Sequence, residues 1–188
     1  MARALARAFY DDPVMSWFFP DDSRRMRQLE RGFALFMRRV YLQHDECYTT
    51  NGVVGGSLWA PPGKWHLSPF AQLRLLPRMA AVAGRDLPRL MRGLGYIESK
   101  HPTEPHYYLG PLGVEPEWQG KGIGSELMRP VLERCDRKGV PAYLEASTPR
   151  NRALYLRNGF KVLEEVNFPH GGPPTWLMWR DPFVTTTT

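Results

Sequence analysis

Cysteine is scarce in this sequence: Cys47 and Cys135 are the only two in 188 residues, and they do not form a CxxC pair. Two cysteines cannot build a disulfide framework, and without CxxC spacing the common zinc sites are disfavoured, so no metal is expected. No stretch approaches about 18 uncharged apolar residues, and the start, MARALARAFYDDP, lacks the apolar core of a signal peptide. These absences predict a protein of a reducing, cytoplasmic environment with no membrane partner.

Long runs of like charge are also missing, although the chain is basic overall. Lysine and arginine number 25 against 19 aspartates and glutamates, which gives a formal net charge of +6. A basic protein attracts polyanions such as nucleic acid or phosphorylated small molecules. The arginines are spread widely, and neither a recognition helix nor an aromatic RNA-binding strand can be identified, so no nucleic-acid partner is expected. The surplus charge is a reason to look for a phosphate site.

Internal repeats, low-complexity tracts and long polar linkers are absent, which predicts one domain over residues 1–188 with a flexible tail at 183–188. Hydrophobic spacing, caps and turn residues predict the elements of the first half of the chain: a helix over 2–10, a helix from Asp21-Asp22-Ser23, a hairpin of 46–50 and 53–60 about a type I′ Asn51-Gly52 turn, and helices over 68–98 broken by Pro77, Gly84 and Pro88. The same signals predict the elements of the second half: a strand over 106–114, a helix from Ile123 containing Pro130, a strand over 142–146, a helix between Thr148 and Gly159, and an antiparallel pair over 161–168 and 175–180. This order predicts a mixed α/β sheet with helices on both faces.

The most informative motif is the glycine-rich segment QGKGIG at 119–124, between a predicted strand and a predicted helix. It is neither a P-loop, which needs GxxxxGK[ST], nor the dinucleotide fingerprint GxGxxG, because Ser125 stands where the last glycine belongs. Glycines before a helix allow backbone N–H groups to turn toward one oxyanion, and the helix N-terminus adds about half a positive charge. The segment therefore indicates a phosphate site, with a simple tight turn as the alternative.

Gln119, Gly122 and Gly124 form a QxxGxG pattern that resembles the pyrophosphate-binding motif, [Q/R]xxGx[G/A], of the GNAT acetyltransferase superfamily. The resemblance covers about residues 106–160, including Asn151 and Tyr155 in PRNRALYLRNGF. It implies a mostly antiparallel twisted sheet with a splayed parallel pair in the middle, and acetyl-CoA as the acyl donor. Within the superfamily the segment is most similar to puromycin N-acetyltransferase-like proteins. These normally have a strand before the first helix, so either the first edge strand is missing here or the native start lies upstream.

The resemblance assigns the following residues to acetyl-CoA: Leu112, Gly113 and Val114 beside the pantetheine arm; Gln119, Gly120, Lys121, Gly122, Ile123, Gly124 and Ser125 around the pyrophosphate; Asn151 on the helix that carries Tyr155; and Arg157 near the 3′-phosphate. For Arg157 a solvated surface position is the alternative. Asn151 and Tyr155 are four residues apart, so both project from the same side of their helix.

Two residues are candidates for the proton transfers of amine acetylation. Tyr155 is expected to protonate the departing thiolate, because a phenol with a pKa near about 10 is protonated at neutral pH; the alternative is a buried structural aromatic. Glu145, the only acid of the strand AYLEA, is the candidate base. It would remove the proton of the amine directly or through a water molecule, or it would only orient the amine. The alternative for Glu145 is an ion pair with Arg150. His106 and His170 are lesser candidates for the base.

The acceptor site is expected among aromatic and apolar residues of the N-terminal helices and the sheet: Phe9, Tyr10, Trp17, Phe18, Phe33, Met37, Trp59 and Trp176. Most of these must also serve the core of a domain this size. The sequence thus predicts an acetyl-CoA-dependent N-acetyltransferase, monomeric or homodimeric. Its acceptor is the primary amine of a small molecule, for example an aminonucleoside-type antibiotic, attacking directly in a ternary complex. The alternatives are a protein or peptide amine acetyltransferase and a non-catalytic acyl-CoA-binding regulator.

Overall fold

The computed structural model describes residues 1–183, so the predicted tail lies outside the described residues from residue 184 onward. Seven helices and six strands follow one another along the chain: α1 (Ala2–Ala8), α2 (Pro13–Phe18), α3 (Asp22–Phe36), β1 (Cys47–Thr49), β2 (Gly55–Ala60), α4 (Pro69–Ala83), α5 (Leu87–Lys100), β3 (Tyr107–Val114), α6 (Ile123–Lys138), β4 (Ala142–Ala146), α7 (Pro149–Arg157), β5 (Lys161–Asn167) and β6 (Pro174–Arg180). Short 3-10 or π turns join several of them.

The six strands form one sheet in the order β1-β2-β3-β4-β6-β5. Only β3 and β4 are parallel, with Tyr107–Leu109 beside Ala142–Leu144, and every other neighbouring pair of this sheet is antiparallel. One core cluster packs α6 and α7 against the sheet, and other clusters pack the N-terminal helices and α4 and α5 on the opposite face. The predicted mixed sheet with a central parallel pair and helices on both faces is confirmed.

A β-bulge on β3 opens the sheet at its centre. Leu112 lies opposite Ser57 of β2 while Leu109 lies opposite Trp59, so Gly110 and Pro111 together face a single residue of β2. Pro111 has no N–H to donate to a ladder. The parallel pairing with β4 ends at Leu109 as well. Beyond that residue β3 and β4 separate, and a cleft lies between their carboxyl ends.

Several element boundaries differ from the sequence-based expectation. The segment that follows the predicted helix over 2–10 begins a second helix, α2. Asp12 caps α2 by accepting hydrogen bonds from the N–H groups of Val14 and Met15 at 3.0 and 3.1 Å. The prediction that Pro77 breaks the helix was wrong, because α4 continues through this residue. The break falls at Gly84, whose φ is 56°.

The hairpin turn between β1 and β2 is not the predicted type I′ turn. That turn needs positive φ at Asn51 and Gly52. Instead Val53 has the positive φ, 52°, and its N–H donates to the Thr50 carbonyl at 2.9 Å. A β-branched residue in the left-handed region is strained by about 1–2 kcal/mol.

Replacing Val53 by glycine should therefore raise the free energy of unfolding by about 0.5–1 kcal/mol. The substitution relieves the backbone strain, but glycine also adds conformational entropy to the unfolded chain, which offsets part of the gain. Urea unfolding measures the change. Val162→Gly is a matched control, since Val162 and Val53 are both 41% exposed and Val162 has no positive φ. The control should be destabilised, and equal effects of the two substitutions would contradict the strain.

Candidate active site

A cleft of about 380 Å³ lies between β3, the start of α6 and α7. We call it the glycine-loop cleft. Eleven of the twelve residues assigned to acetyl-CoA line it, together with Tyr155: Leu112, Gly113, Val114, Gln119, Gly120, Gly122, Ile123, Gly124, Ser125, Asn151 and Arg157. The twelfth, Lys121, does not line it, and its ammonium lies 4.5 Å from the centre of the Trp118 ring.

The glycine loop presents free backbone N–H groups to this cleft. Gly120 and Gly122 have φ values of 80° and 82°, and Gly122 is the N-cap of the 16-residue helix α6, with no side chain capping the first turn. A Cβ at either glycine would meet no atom within 4 Å, so the two are required for their backbone conformation and not for space. Uncapped N–H groups at a helix N-terminus form an anion-binding site.

Two polar side chains hold the loop in place. Gln119 donates to the Val114 carbonyl at 2.9 Å, and its amide oxygen accepts from Arg150 at 2.8 Å. Gln119 therefore ties the loop to β3 with both polar atoms engaged. Asn158 donates to the Ser125 hydroxyl at 3.0 Å and to the Leu154 carbonyl at 2.9 Å, which joins the start of α6 to the end of α7. Asn158 was missed by the sequence analysis, because its partner is 33 residues away.

A second cavity, of about 240 Å³, adjoins the first. We call it the apolar cavity. Phe9, Phe18 and Phe33 from the predicted acceptor set line it, as do Met15, Phe36, Leu94, Ile97 and Phe168; its polar residues include Tyr41, Tyr108, Glu145, Ser147 and Thr175. The two cavities share five residues, Phe9, Asp12, Leu112, Asn151 and Tyr155, which places Tyr155 at their junction.

Tyr155 is only 5% exposed, and its ring packs edge-on against Phe160 at 5.9 Å between centroids. Its hydroxyl makes no hydrogen bond within residues 1–183. Burial, and secondarily the charges of Asp12 and Glu145, raise the pKa of Tyr155 above its usual value. The phenol is thus protonated at neutral pH and has its hydrogen available for donation at the junction.

Asp12 is a junction residue that the sequence analysis did not single out. Besides capping α2 it accepts a hydrogen bond from the Ser147 hydroxyl, which follows β4. Burial raises the pKa of Asp12, although the hydrogen bonds from Ser147, Met15 and Val14 oppose that rise. The contact joins residues 135 positions apart, so it had no local signal in the sequence.

Glu145 lies at the polar end of the apolar cavity. Its Oε2 accepts from the Tyr108 hydroxyl at 2.9 Å, while its Oε1 is buried without a hydrogen-bond partner among the described residues. His101 Nδ1 lies 3.7 Å from that oxygen. The alternative ion pair with Arg150 is not formed, since Arg150 bonds to Gln119 instead.

Comparison with known proteins accounts for this arrangement. The model of the acetyltransferase (GNAT) family matches residues 8–160, a segment that holds both Tyr155 and the glycine loop. The chain belongs to the GNAT acetyltransferase family. An uncharacterised N-acetyltransferase of Schizosaccharomyces pombe is 26% identical to it over 96% of this chain and 78% of its own length.

Solved structures agree with the GNAT fold. A structure described as histone acetyltransferase HPA2 and related acetyltransferase, from Corynebacterium glutamicum, is 25% identical, covers 98% of this chain and 91% of its own, and has a TM-score of 0.69. Arylalkylamine N-acetyltransferase 2 of Aedes aegypti shares the fold at 12% identity and a TM-score of 0.58, over 96% of this chain and 92% of its own. The resemblance of the QxxGxG segment to this family is confirmed.

Five residues of the predicted acceptor set do not line the apolar cavity of this acetyltransferase: Tyr10, Trp17, Met37, Trp59 and Trp176. Side chains alternate along β2, so Leu58 and Ala60 face the N-terminal helices while Trp59, fully buried, faces α6. Trp176 lies in the same core as Trp59 and donates to Glu165 at 2.8 Å. Trp17 packs on Phe168, and Tyr10 donates to the Asp22 carbonyl.

The remaining predictions concern histidines, metals and membranes. His170 lies beside Arg92, 3.4 Å from its guanidinium, and lines neither cavity. Within residues 1–183, no group of three or more His, Cys, Asp or Glu side chains is arranged to hold a metal ion. In the same part of the chain no helix combines the length and apolarity that crossing a bilayer requires.

Proposed function

We propose that this GNAT acetyltransferase transfers an acetyl group from acetyl-CoA to the primary amine of a small molecule with an apolar body. The observation that carries the proposal is the meeting of two different cavities at one phenol. The glycine-loop cleft is lined by residues of the glycine loop with its backbone N–H groups, and the apolar cavity by aromatic rings with two carboxylates, Glu145 at its polar end and Asp12 at the junction.

The glycine-loop cleft suits the donor. Free N–H groups at Gly120–Ser125 would hold the pyrophosphate, with the helix α6 dipole and Arg157 adding positive potential. The pantetheine arm would lie along Leu112–Val114, where β3 has lost β4 as a neighbour. Gln119 would act by positioning the loop, and Lys121 by adding charge from its outer side.

Tyr155 and Glu145 would carry the proton transfers. The acceptor must attack as a neutral amine, so Glu145 takes a proton from its ammonium form. As the carbon–sulfur bond breaks, the Tyr155 hydroxyl donates its hydrogen to the sulfur. Burial keeps this phenol protonated, which supports a role as general acid.

Direct attack in a ternary complex is favoured because no thiol is poised to form a covalent acyl-enzyme. Burial raises the pKa of Cys47 to about 11 and that of Cys135 to about 12, so neither is a thiolate at neutral pH. Neither cysteine lines the glycine-loop cleft or the apolar cavity.

The acceptor class follows from the lining of the apolar cavity. Aromatic and aliphatic side chains would cover an apolar body, while Glu145 would attract the amine. Amines that carry an aromatic ring close to the nitrogen fit this description, and the aminonucleoside antibiotic puromycin is one of them. A polyamine or a lysine side chain of a protein would leave most of this apolar lining uncovered.

Thiol release from acetyl-CoA tests the proposal directly. Arylalkylamines and puromycin should give turnover, and agmatine, spermidine and a histone peptide should give kcat/KM lower by at least about 10-fold, since each lost methylene contact is worth about 1 kcal/mol. Turnover only with the peptide would favour protein acetylation. Binding of acetyl-CoA without thiol release for any amine would favour the regulator.

Replacing Gly122 by alanine should weaken acetyl-CoA binding about 5- to 30-fold, because alanine resists a φ of 82° by about 1–2 kcal/mol and relaxation would turn the N–H groups away from the cleft. Calorimetric titration measures the change. Gly139→Ala is the matched control: Gly139 has a φ of 64°, equally open space, and lies at the other end of α6. Equal loss of affinity in both variants would contradict the role of the loop.

A further inference from the structure

Two buried histidines lie next to Glu145, and the proposed function gives them no role. His101 follows α5 and its side chain is 2% exposed, while His106 precedes β3 and is 1% exposed. Nδ1 of His101 is 3.7 Å from Oε1 of Glu145, and Nε2 of His101 is 2.9 Å from Nε2 of His106. Nδ1 of His106 is 2.6 Å from the Glu104 carbonyl oxygen.

These contacts fix where the hydrogens are. A carbonyl oxygen only accepts, so Nδ1 of His106 must carry the hydrogen that it donates to Glu104. Burial lowers the pKa of His106, so this ring is neutral and its Nε2 is a bare acceptor. Nε2 of His101 must therefore carry a hydrogen and donate it. The remaining nitrogen, Nδ1 of His101, then carries no hydrogen when the ring is neutral, and it faces Glu145.

The carboxylate oxygen opposite that nitrogen accepts no hydrogen bond within residues 1–183, although the unpartnered Tyr143 hydroxyl also lies near Glu145. Oε1 of Glu145 is buried with no hydrogen-bond partner in the described part of the chain, whereas Oε2 accepts from Tyr108. Two acceptors that face each other in a buried place form a binding site for one proton, since a single hydrogen satisfies both.

Among residues 1–183, Glu145 is the one acid with a carboxylate oxygen within 4 Å of a His101 ring nitrogen, while His106 and Glu104 lie on the Nε2 side. Three tyrosines are also close to this pair of Glu145 and His101: Tyr143 on β4, Tyr108 on β3 and Tyr41 after α3. His66 and Glu98 form a pair in the cavity that His101 also lines, with the nitrogen and oxygen 2.7 Å apart. Burial first, and the Glu145 charge second, raise the pKa of all three tyrosines, so they are neutral. Glu145 is therefore the carboxyl group that faces Nδ1 of His101.

His101 also lines a third cavity, of about 230 Å³, with Trp65, His66 and Glu98. The side chains of His66 and Glu98 are 45% and 43% exposed, so this third cavity reaches solvent. The face of Trp65 stacks on the His101 ring at 3.6 Å. The ring of His101 thus separates the apolar cavity from the third cavity, with Nδ1 toward Glu145 and Nε2 toward His106.

We propose that Glu145 and His101 act as one unit that receives the proton of the acceptor amine and holds it until the product leaves, when the proton returns to solvent through the apolar cavity that Glu145 lines. The inference rests on the proposed function. An N–H bond of the ammonium breaks and its proton passes to Glu145 and then to Nδ1 of His101. The amine lone pair forms the new bond to the acetyl carbon as the bond to sulfur breaks. The sulfur takes the Tyr155 hydrogen, and the phenolate recovers one from the acylated nitrogen, so one proton remains on the pair of Glu145 and His101 and is released after the product leaves.

The pH dependence of His101→Gln tests this positioning role. At pH 7 its kcat/KM for the amine should fall about 10- to 100-fold, and the loss should shrink as the pH rises and the amine deprotonates unaided. Acetyl-CoA affinity should not change. His66→Gln is the control, because His66 touches the same Trp65 ring and lines the same cavity without contacting Glu145; it should stay within about 2-fold. An equal loss for His101→Gln at every pH would overturn the relay.

Two further measurements separate this inference from the proposed function. In the Glu145→Gln/His101→Gln double variant the loss should not exceed the larger single loss, and a loss equal to the product of the two would overturn the unit. Independently of any turnover, imidazole ¹⁵N shifts at alkaline pH should place hydrogen on Nε2 of His101 and on Nδ1 of His106. The opposite tautomer in either ring would overturn the proton site. Failure of every amine to react would contradict the proposed function alone.

Discussion

Replacing Tyr155 by phenylalanine should lower kcat about 10²- to 10⁴-fold, the range expected when a general acid is lost. The ring fills the same space against Phe160, so the junction keeps its shape and acetyl-CoA affinity should change little. Only the hydrogen delivered to the leaving sulfur is missing. Single-turnover kinetics with saturating amine, together with calorimetric titration of acetyl-CoA, measures both quantities.

Tyr107→Phe is the matched control, because Tyr107 is 4% exposed in the same core and lines neither cavity. Its kcat should be close to that of the wild type. Since burial raises the pKa of Tyr155, the wild type should also show no loss of kcat from tyrosine ionisation up to about pH 10. An unchanged kcat in Tyr155→Phe would remove this residue from the role.

The glycine-loop cleft was largely predictable because its signal is local. Gly120 and Gly122 stand between a strand and a helix, and their positive φ values are conformations that glycine adopts at little cost. Asn151 and Tyr155 share one short helix, so their spacing alone places them together. In the structure these residues and β3 line the same cleft.

The apolar cavity was less predictable because it is assembled from α2, α3, α5, α7, three strands and the segments that follow α1 and α3. Phe9 and Trp59 are both aromatic, and nothing in the sequence distinguished them. In the structure Phe9 lines the cavity, whereas Trp59 is buried under α6. Which face of β2 a side chain occupies depends on the register of the sheet, and a shift of one residue would exchange the faces. Contacts such as Asp12 with Ser147 depend on that tertiary arrangement and leave no local pattern.

Removal of the Asp136 carboxylate should produce the largest loss of stability. Both oxygens of Asp136, near the end of α6, accept from the Arg180 guanidinium of β6 at 2.8 Å, and Asp136 also accepts from the Phe183 N–H at 2.8 Å. The Arg180 side chain is 4% exposed and also donates to the Asn158 carbonyl. One ion pair therefore joins α6, the end of α7 and the last strand.

Asp136→Ala should lower the free energy of unfolding by about 3 kcal/mol, because it leaves a buried guanidinium unpaired. The value is at the low end of the usual range since Asp136 itself is 26% exposed. Glu133→Ala is the control on the same helix: its pair with Arg129 is 3.6 Å apart with both side chains more than half exposed, and about 0.5 kcal/mol or less is expected. Urea unfolding measures both variants, and similar losses would contradict the assignment.

The pH dependence gives the same pair a second test. Burial alone would raise the pKa of Asp136, but the hydrogen bonds from Arg180 and the Phe183 N–H outweigh it and the pKa is lowered. A carboxyl whose pKa is lower in the folded state stabilises the fold above its unfolded pKa of about 3.9, and this contribution disappears as the pH falls through the folded value. The difference in unfolding free energy between wild type and Asp136→Ala should thus be constant from about pH 5 to 7 and shrink below about pH 4. A difference that does not change with pH would show that packing, and not the charge of Asp136, holds Arg180.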